Sequence, residues 1–342
     1  MLRKPLSPTF SRRGFLAAGS AATLAVSTSG LRAQSAFPSE AIQILMGVGP
    51  GGGTDRSARL FGPYWEAALP GSEPVTFLPR PGGSGLVALE YMRAQPSSGY
   101  FPMYFPVPHI ASLFNLGKVP GGQLSDVAWI GTLFTDPDVL LVPKDSPYET
   151  IAEFVEASKA ADEPFTISGS TPLSNAHFAT IVLAEKTGAN LRFVPFGGGG
   201  DARNAVAGGH VDGCIAPYWS ALGVLELTKA IGIFGDENPA PDLWQPVPVN
   251  EVLDVDMPDL LEPYAMFCSA SVRDENPDAF ETLTTAFSEA VASEAFRAAA
   301  KQDNLTPFLS GWDSETTQAF AEEYIALFNQ YLSAMEKDLE TL

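Results

Sequence analysis

Val48-Gly49-Pro50-Gly51-Gly52-Gly53-Thr54-Asp55 follows directly on the apolar run Ala41-Ile42-Gln43-Ile44-Leu45-Met46. The run reads as a short buried strand, and the turn behind it opens into a helix at Thr54 or Asp55, either of which is an N-cap residue. Backbone N–H groups at such a helix start point outward and hold an anion without any basic side chain. A turn loosened only for close packing explains one or two glycines, whereas here five fall in the seven positions 47–53.

Outward from this turn the chain alternates. Thr54–Ala68 has Ala58, Phe61, Trp65 and Leu69 on helical spacing. Pro74–Leu78 reads as a second strand, Arg80-Pro81-Gly82-Gly83-Ser84-Gly85 as a second glycine turn, and Leu86–Ala94 as a helix. Further strands are expected at 127–134, 139–142, 165–168, 191–194, 211–216 and 230–234, with helices at 151–160, 175–187 and 201–207 between them. Residues 260–271 read as extended, and two long helices, 277–302 and 314–337, close the chain. Strand and helix in alternation indicate an α/β fold built on a parallel sheet.

The first 33 residues read as an export leader. Ser11-Arg12-Arg13-Gly14-Phe15-Leu16 has the form of a twin-arginine signal, followed by a weakly apolar Ala/Ser/Thr-rich stretch and the small residues Ala33-Gln34-Ser35. This predicts a periplasmic protein with no membrane anchor. The whole chain has a net charge of −20, and the leader carries five basic and no acidic residues, so the remainder stands at −25. Such a surface excludes nucleic acid and anionic lipid as partners. About 305 residues remain after the leader, enough for two domains of ordinary size. Cys214 and Cys268 both lie in apolar stretches, which leaves a disulfide and two buried thiols equally open.

Catalytic signatures are absent. The three histidines, His109, His177 and His210, have no Cys or carboxylate beside them at metal-ligand spacing. There is no serine elbow, Walker lysine loop or zinc-binding helix motif. One enzymatic alternative stays open: Gly47, Gly49 and Gly52 match the GxGxxG pattern between a strand and a helix. That would make the chain a periplasmic NAD(P)-dependent oxidoreductase. Against it, Pro50 stands inside the turn and the second strand ends at Pro79-Arg80 rather than at an acidic residue for the ribose.

Gly49 to Asp55 with Ala58-Arg59, Arg80-Pro81-Gly82-Gly83, Gly99-Tyr100, Val194-Pro195-Phe196, Gly197 to Gly200 and Gly208-Gly209-His210-Val211-Asp212 together resemble the substrate-binding proteins of tripartite tricarboxylate transporters, the Bug family. The resemblance runs over nearly the whole chain behind the leader. It implies a two-lobed periplasmic binding protein of type II-like architecture, with a hinge between two Rossmann-like lobes, residues 37–136 plus 262–342 and residues 137–261. It also implies a monomer without cofactor or metal, not an enzyme, which captures a small organic carboxylate and hands it to the membrane permease subunits of such a transporter. Delivery to a sensor kinase is the other use of such a receptor.

In this family two loops hold the carboxylate, one from each lobe. The resemblance places the first at Pro50, Gly51, Gly52, Gly53, Thr54 and Asp55. It places the second in the turn Ser168–His177, with Ser170, Thr171, Ser174, Asn175 and His177 as contacts. Leu173 stands where the family usually has glycine. Ala216 and Trp219 fall where the family's strand usually ends in an aspartate, and Ala216 there implies a ligand without a free ammonium group. The aromatic residues Phe101, Tyr104, Phe105, Tyr218 and Trp219 suggest an apolar face behind the carboxylate.

Overall fold

The structure, a computed structural model, describes residues 37–342. The export leader expected over residues 1–33 lies outside them. Among the described residues ten strands form one sheet: β1 (Ile42–Met46), β2 (Val75–Pro79), β3 (Met103–Pro106), β4 (Val127–Pro143), β5 (Phe165–Gly169), β6 (Leu191–Pro195), β7 (Gly213–Pro217), β8 (Thr228–Ile233), β9 (Leu261–Ser269) and β10 (Leu309–Trp312). Their order is β2-β1-β3-β9-β4-β7-β5-β6, with β8 and β10 also paired to β4.

The expected parallel alternation holds in two separate blocks. β1 pairs in parallel with β2 and β3, and β5 does so with β6 and β7. Antiparallel β9 and β4 join the blocks. This is the two-lobed α/β architecture of a periplasmic binding protein. β4 belongs to both halves: residues 127–137 face β9, and residues 138–143 face β7 and β8.

The sequence pattern anticipates two strands here, 127–134 and 139–142, whereas the chain runs through Thr135-Asp136-Pro137-Asp138 as one strand of 17 residues. Pro137 lacks an N–H, and it sits where β4 changes partner, so the missing ladder donor costs little.

Side-chain alternation along the strands divides the core between the two faces of the sheet. Leu45, Met103, Phe105, Leu140, Val142, Ala265 and Phe267 pack on one face with the helix Asn175–Thr187. Ile44, Met46, Tyr104, Val139, Leu141, Tyr264 and Met266 pack on the other with the helix Gly53–Ala68. Period-two burial of this kind requires helices on both sides, because neither face can be left wet. Each layer runs across both halves of the sheet.

The two closing helices are each broken once. Ser293 ends the helix Pro277–Ala292, and its hydroxyl accepts from the Phe296 N–H at 3.2 Å to begin Glu294–Gln302. Serine offers this cap at little cost, and helical periodicity continues across it unseen. Tyr331 likewise separates Ser314–Gln330 from Leu332–Leu339. Cys214 and Cys268 are both free and buried. Among the described residues no helix is long and apolar enough to cross a membrane, and no group of three or more His, Cys, Asp or Glu is arranged to hold a metal ion.

Candidate functional site

The carboxyl ends of parallel strands from both blocks converge on one cavity of about 340 Å³. β1 delivers Val48 to Thr54, β3 ends in Phe105 and Pro106, β5 leads into Ser170, β6 into Gly197, and β7 ends in Pro217. Crevices at the carboxyl ends of parallel strands are the usual ligand sites of α/β sheets, because the turns there start helices with free N–H groups.

Two such helix starts face the cavity, and neither is capped. The helix Gly53–Ala68 begins at Gly52 without a side-chain cap. Asp55 turns back to accept from the Gly51 N–H at 3.0 Å and holds Arg59 at 2.8 Å, so its carboxylate shapes the loop. Across the cavity the helix Gly199–Ala207 begins at Gly198, also without a side-chain cap. A Cβ on Gly49, Gly51, Gly52 or Gly198 would meet no atom within 4 Å. At Gly49, Gly52 and Gly198 glycine leaves the backbone open instead of relieving a packing clash, and at Gly51 it also supplies a φ of 92° that other residues rarely adopt. Gly47 differs: a Cβ there would lie 2.7 Å from the Gly85 Cα, so this glycine serves packing.

Of the residues expected from sequence, Pro50, Gly51, Gly52, Gly53, Thr54 and Ser170 line the cavity together. The others lie behind its wall. Ser174 caps the helix Asn175–Thr187 by accepting from the His177 N–H at 3.2 Å, which uses up a donor at that helix start. His177 is fully buried, stacked on Phe193, with Nε2 2.9 Å from an Asp338 carboxylate oxygen. Asn175 donates to Asp138 at 2.9 Å. The Thr171 hydroxyl is buried without a hydrogen-bond partner. Leu173 adopts φ 65°, the left-handed conformation that glycine takes without strain.

Ala216 is buried opposite Val139. Trp219 is buried as well: its indole N–H donates to the Asp303 carbonyl at 2.8 Å, and the Arg56 guanidinium lies 4.2 Å from its ring. Among the expected aromatic residues, Phe105 lines the cavity; Tyr104 and Tyr218 are core residues with their hydroxyls bonded to Ser57 and to the Ala240 and Trp244 carbonyls.

The floor of the cavity was not anticipated. Glu262 and Tyr264 at the start of β9, His109 from the helix Val107–Asn115, and Arg203 and Ser220 from the other half all line it, each less than one-tenth exposed. Behind them β4 contributes Asp136 and Asp138, both fully buried, and Asp136 pairs in register with Glu262. Both oxygens of Asp136 accept from the Trp219 N–H at 3.0 Å. Burial pushes the Asp136 carboxyl up to about 8, against the pull of those N–H groups and of Arg203. Burial raises Asp138 and Glu262 too, and the neighbouring carboxylates add to the effect. Burial lowers His109 to about 4, so the ring is neutral near pH 7. The signal in the sequence was Asp136-Pro137-Asp138 amid apolar residues, which read as a break between strands.

Known proteins resemble the chain over most of its length. The family model described as tripartite tricarboxylate transporter family receptor matches residues 71–332. A UPF0065 protein in the gbd 5'region of Cupriavidus necator is 24% identical over 320 residues, 92% of this chain and 94% of the relative. MatC from Rhodopseudomonas palustris, solved with bound malate, shares the fold with a TM-score of 0.75 at 18% identity, over 86% of this chain and 99% of that one. An R. palustris protein, Rpa4515, solved with adipate, does so with a TM-score of 0.76 at 18% identity, over 88% and 98%.

Proposed function

Since this chain belongs to the tripartite tricarboxylate transporter receptor family, we propose that it is an exported receptor which captures a small organic carboxylate in the cleft and presents it to membrane permease subunits. The observation that carries this is the pair of uncapped helix starts, at Gly52 and Gly198, facing one cavity of about 340 Å³. Each offers backbone donors and the positive end of a helix dipole, so a carboxylate replaces its water shell with fixed N–H groups. The volume is at the small end for ligand pockets and suits a compact metabolite.

The lobes are taken as residues 37–136 plus 262–342 and residues 137–261, with the hinge at Thr135–Asp138 and Leu260–Glu262. Closure of one lobe on the other encloses the ligand between the two glycine turns. Pro50 to Thr54 and Ser170 are the proposed contacts from the expected set. Asp55, Thr171, Ser174, Asn175, His177, Ala216 and Trp219 support the walls. The receptor acts as a monomer in the periplasm, reached by the twin-arginine route.

Isothermal calorimetry on the purified chain with malate, adipate, citrate and 5-aminopentanoate tests the reading. Binding of at least one of them at micromolar concentrations is expected. Failure of all, with NADH or NADPH binding instead, would overturn it in favour of the oxidoreductase alternative.

A further inference from the structure

Glu262 and His109 stand together on the buried floor of the cleft, Glu262 Oε1 lying 3.7 Å from His109 Nδ1. That distance is too long for a hydrogen bond. His109 Nδ1 is buried and has no hydrogen-bond partner, although the side chain lines the cavity and is only 5% exposed. A buried orphan of this kind is costly unless something in the cavity satisfies it. The histidine is neutral, so it supplies no counter-charge to the carboxylate.

The charges on the wall point the same way. Arg203 is the single Arg or Lys lining the cavity among the described residues, against Glu262 and Asp201. Asp136 and Asp138 lie behind Glu262 and raise its affinity for a proton, after burial itself. A ligand anionic at both ends would bring to this floor a second carboxylate with Arg203 as its one cationic partner, whereas a cation is favoured by every acid on it.

We propose that the floor of the cleft is a subsite for a protonated amine, with Glu262 as counter-charge and His109 Nδ1 as second acceptor, so that the ligand is a small zwitterion. This rests on the reading of the glycine turns as the carboxylate site. An ammonium group brings three N–H donors and one positive charge. Two donors satisfy Glu262 and the His109 nitrogen, and the third is free for the Tyr264 hydroxyl on the same wall. Its charge allows Glu262 to ionise where burial otherwise opposes ionisation. Ala216 had suggested a ligand without an amine, but the acid is supplied from β9 instead of β7.

Calorimetry on the chain without its leader can test this with matched pairs: glutarate against 5-aminopentanoate, and succinate against 4-aminobutanoate, with pentylamine as the amine lacking a carboxylate. The amino acid of each pair is expected to bind at least tenfold more tightly than the diacid. In Glu262→Gln, a near-isosteric change, that preference should shrink at least tenfold. The wild-type comparison stands by itself if the variant does not fold. Diacids binding as tightly as the amino acids, with no change of preference in E262Q, would overturn the amine subsite and leave the carboxylate reading intact. Pentylamine binding as tightly as 5-aminopentanoate would overturn the carboxylate reading and leave the amine subsite standing. Binding by none of the five compounds would overturn both.

Discussion

Gly53 and Ser220 touch across the cleft so closely that a Cβ on the glycine would lie 2.0 Å from the serine Oγ and 3.1 Å from its Cβ. Gly53 begins the helix behind the first glycine turn, and Ser220 lies in the short helix Tyr218–Ala221 of the other half. The contact therefore measures how near the two halves come. Gly53→Ala should hold them apart and weaken ligand binding at least tenfold, since overpacking a close contact costs about 1–3 kcal/mol. Adding Ser220→Gly removes both opposing atoms. Calorimetry should then show G53A/S220G binding like S220G alone; a double variant as weak as G53A would refute the contact as the cause.

Gly52 tests the anion turn without that clash. Its backbone has φ −80°, open to any residue, and a Cβ there meets nothing within 4 Å. Gly52→Val should leave the melting temperature nearly unchanged while its methyl groups occupy the space of the bound carboxylate. Affinity for the best carboxylate should drop by more than tenfold, or more than about 1.4 kcal/mol. Unchanged affinity in calorimetry would remove the turn from the site.

Leu173 sets two effects against each other. Its φ of 65° costs roughly 1–2 kcal/mol for an L-residue, a cost that glycine avoids. Yet the side chain is 5% exposed and part of the core, and truncating a buried leucine costs about 2–5 kcal/mol. Burial wins, so Leu173→Gly should destabilise by about 1–3 kcal/mol in urea denaturation. A stabilised variant would mean the turn stores more strain than its packing returns.

Two buried groups near the hinge shape stability against pH in opposite senses. Asp136 titrates near 8 when folded and near 3.8 otherwise, so the folded chain keeps a proton that the unfolded chain loses. Its contribution is complete below about pH 3.8 and is lost as pH rises through 8. His109 is depressed to about 4 from 6.5, so its contribution is complete above 6.5 and is lost as pH falls toward 4. The two oppose each other between about pH 4 and 6.5, and from 6.5 to 8 the raised carboxyls act without His109: Asp136, joined by Asp138 and Glu262, which burial shifts in the same sense. Asp136 by itself should lower stability across that upper interval by roughly 1–2 kcal/mol. Asp136→Asn should make the fall between pH 6.5 and 8 shallower, whatever it does to stability overall; a variant that loses as much stability as the wild type over that interval in chemical denaturation would assign the fall to other groups.

Net charge makes a kinetic prediction. The chain carries −20, and −25 without the expected leader, and so repels a dicarboxylate at long range, while the proposed backbone donors would attract it only inside the cleft. Salt screens the repulsion over a Debye length of about 8 Å at physiological strength. Stopped-flow tryptophan fluorescence should show association with adipate accelerating as NaCl rises. An on-rate that declines with salt would reveal a positive field at the cleft mouth.

The α/β class, the glycine turn after β1 and most strand positions were legible because each is a local property. Apolar runs of strand length, helical spacing and clustered glycines act over a few residues, and Pro50 to Thr54 do line the cavity. Long-range pairing was beyond such signals. Asp136-Pro137-Asp138 resembles a turn by its residues, yet flanking pairs with β9, β7 and β8 hold it extended.

The chain's own residues thus determined where a glycine-rich, uncapped helix start would stand and that the chain would be acidic, because propensity and charge are carried by each residue wherever it lies. Tertiary structure alone decided the floor of the cleft. Glu262 becomes a neighbour of His109, Asp136 and Arg203 only when distant strands pair and exclude water. The same carboxylate, left in solvent, would be an ordinary surface acid; burial beside two others is what raises its affinity for a proton.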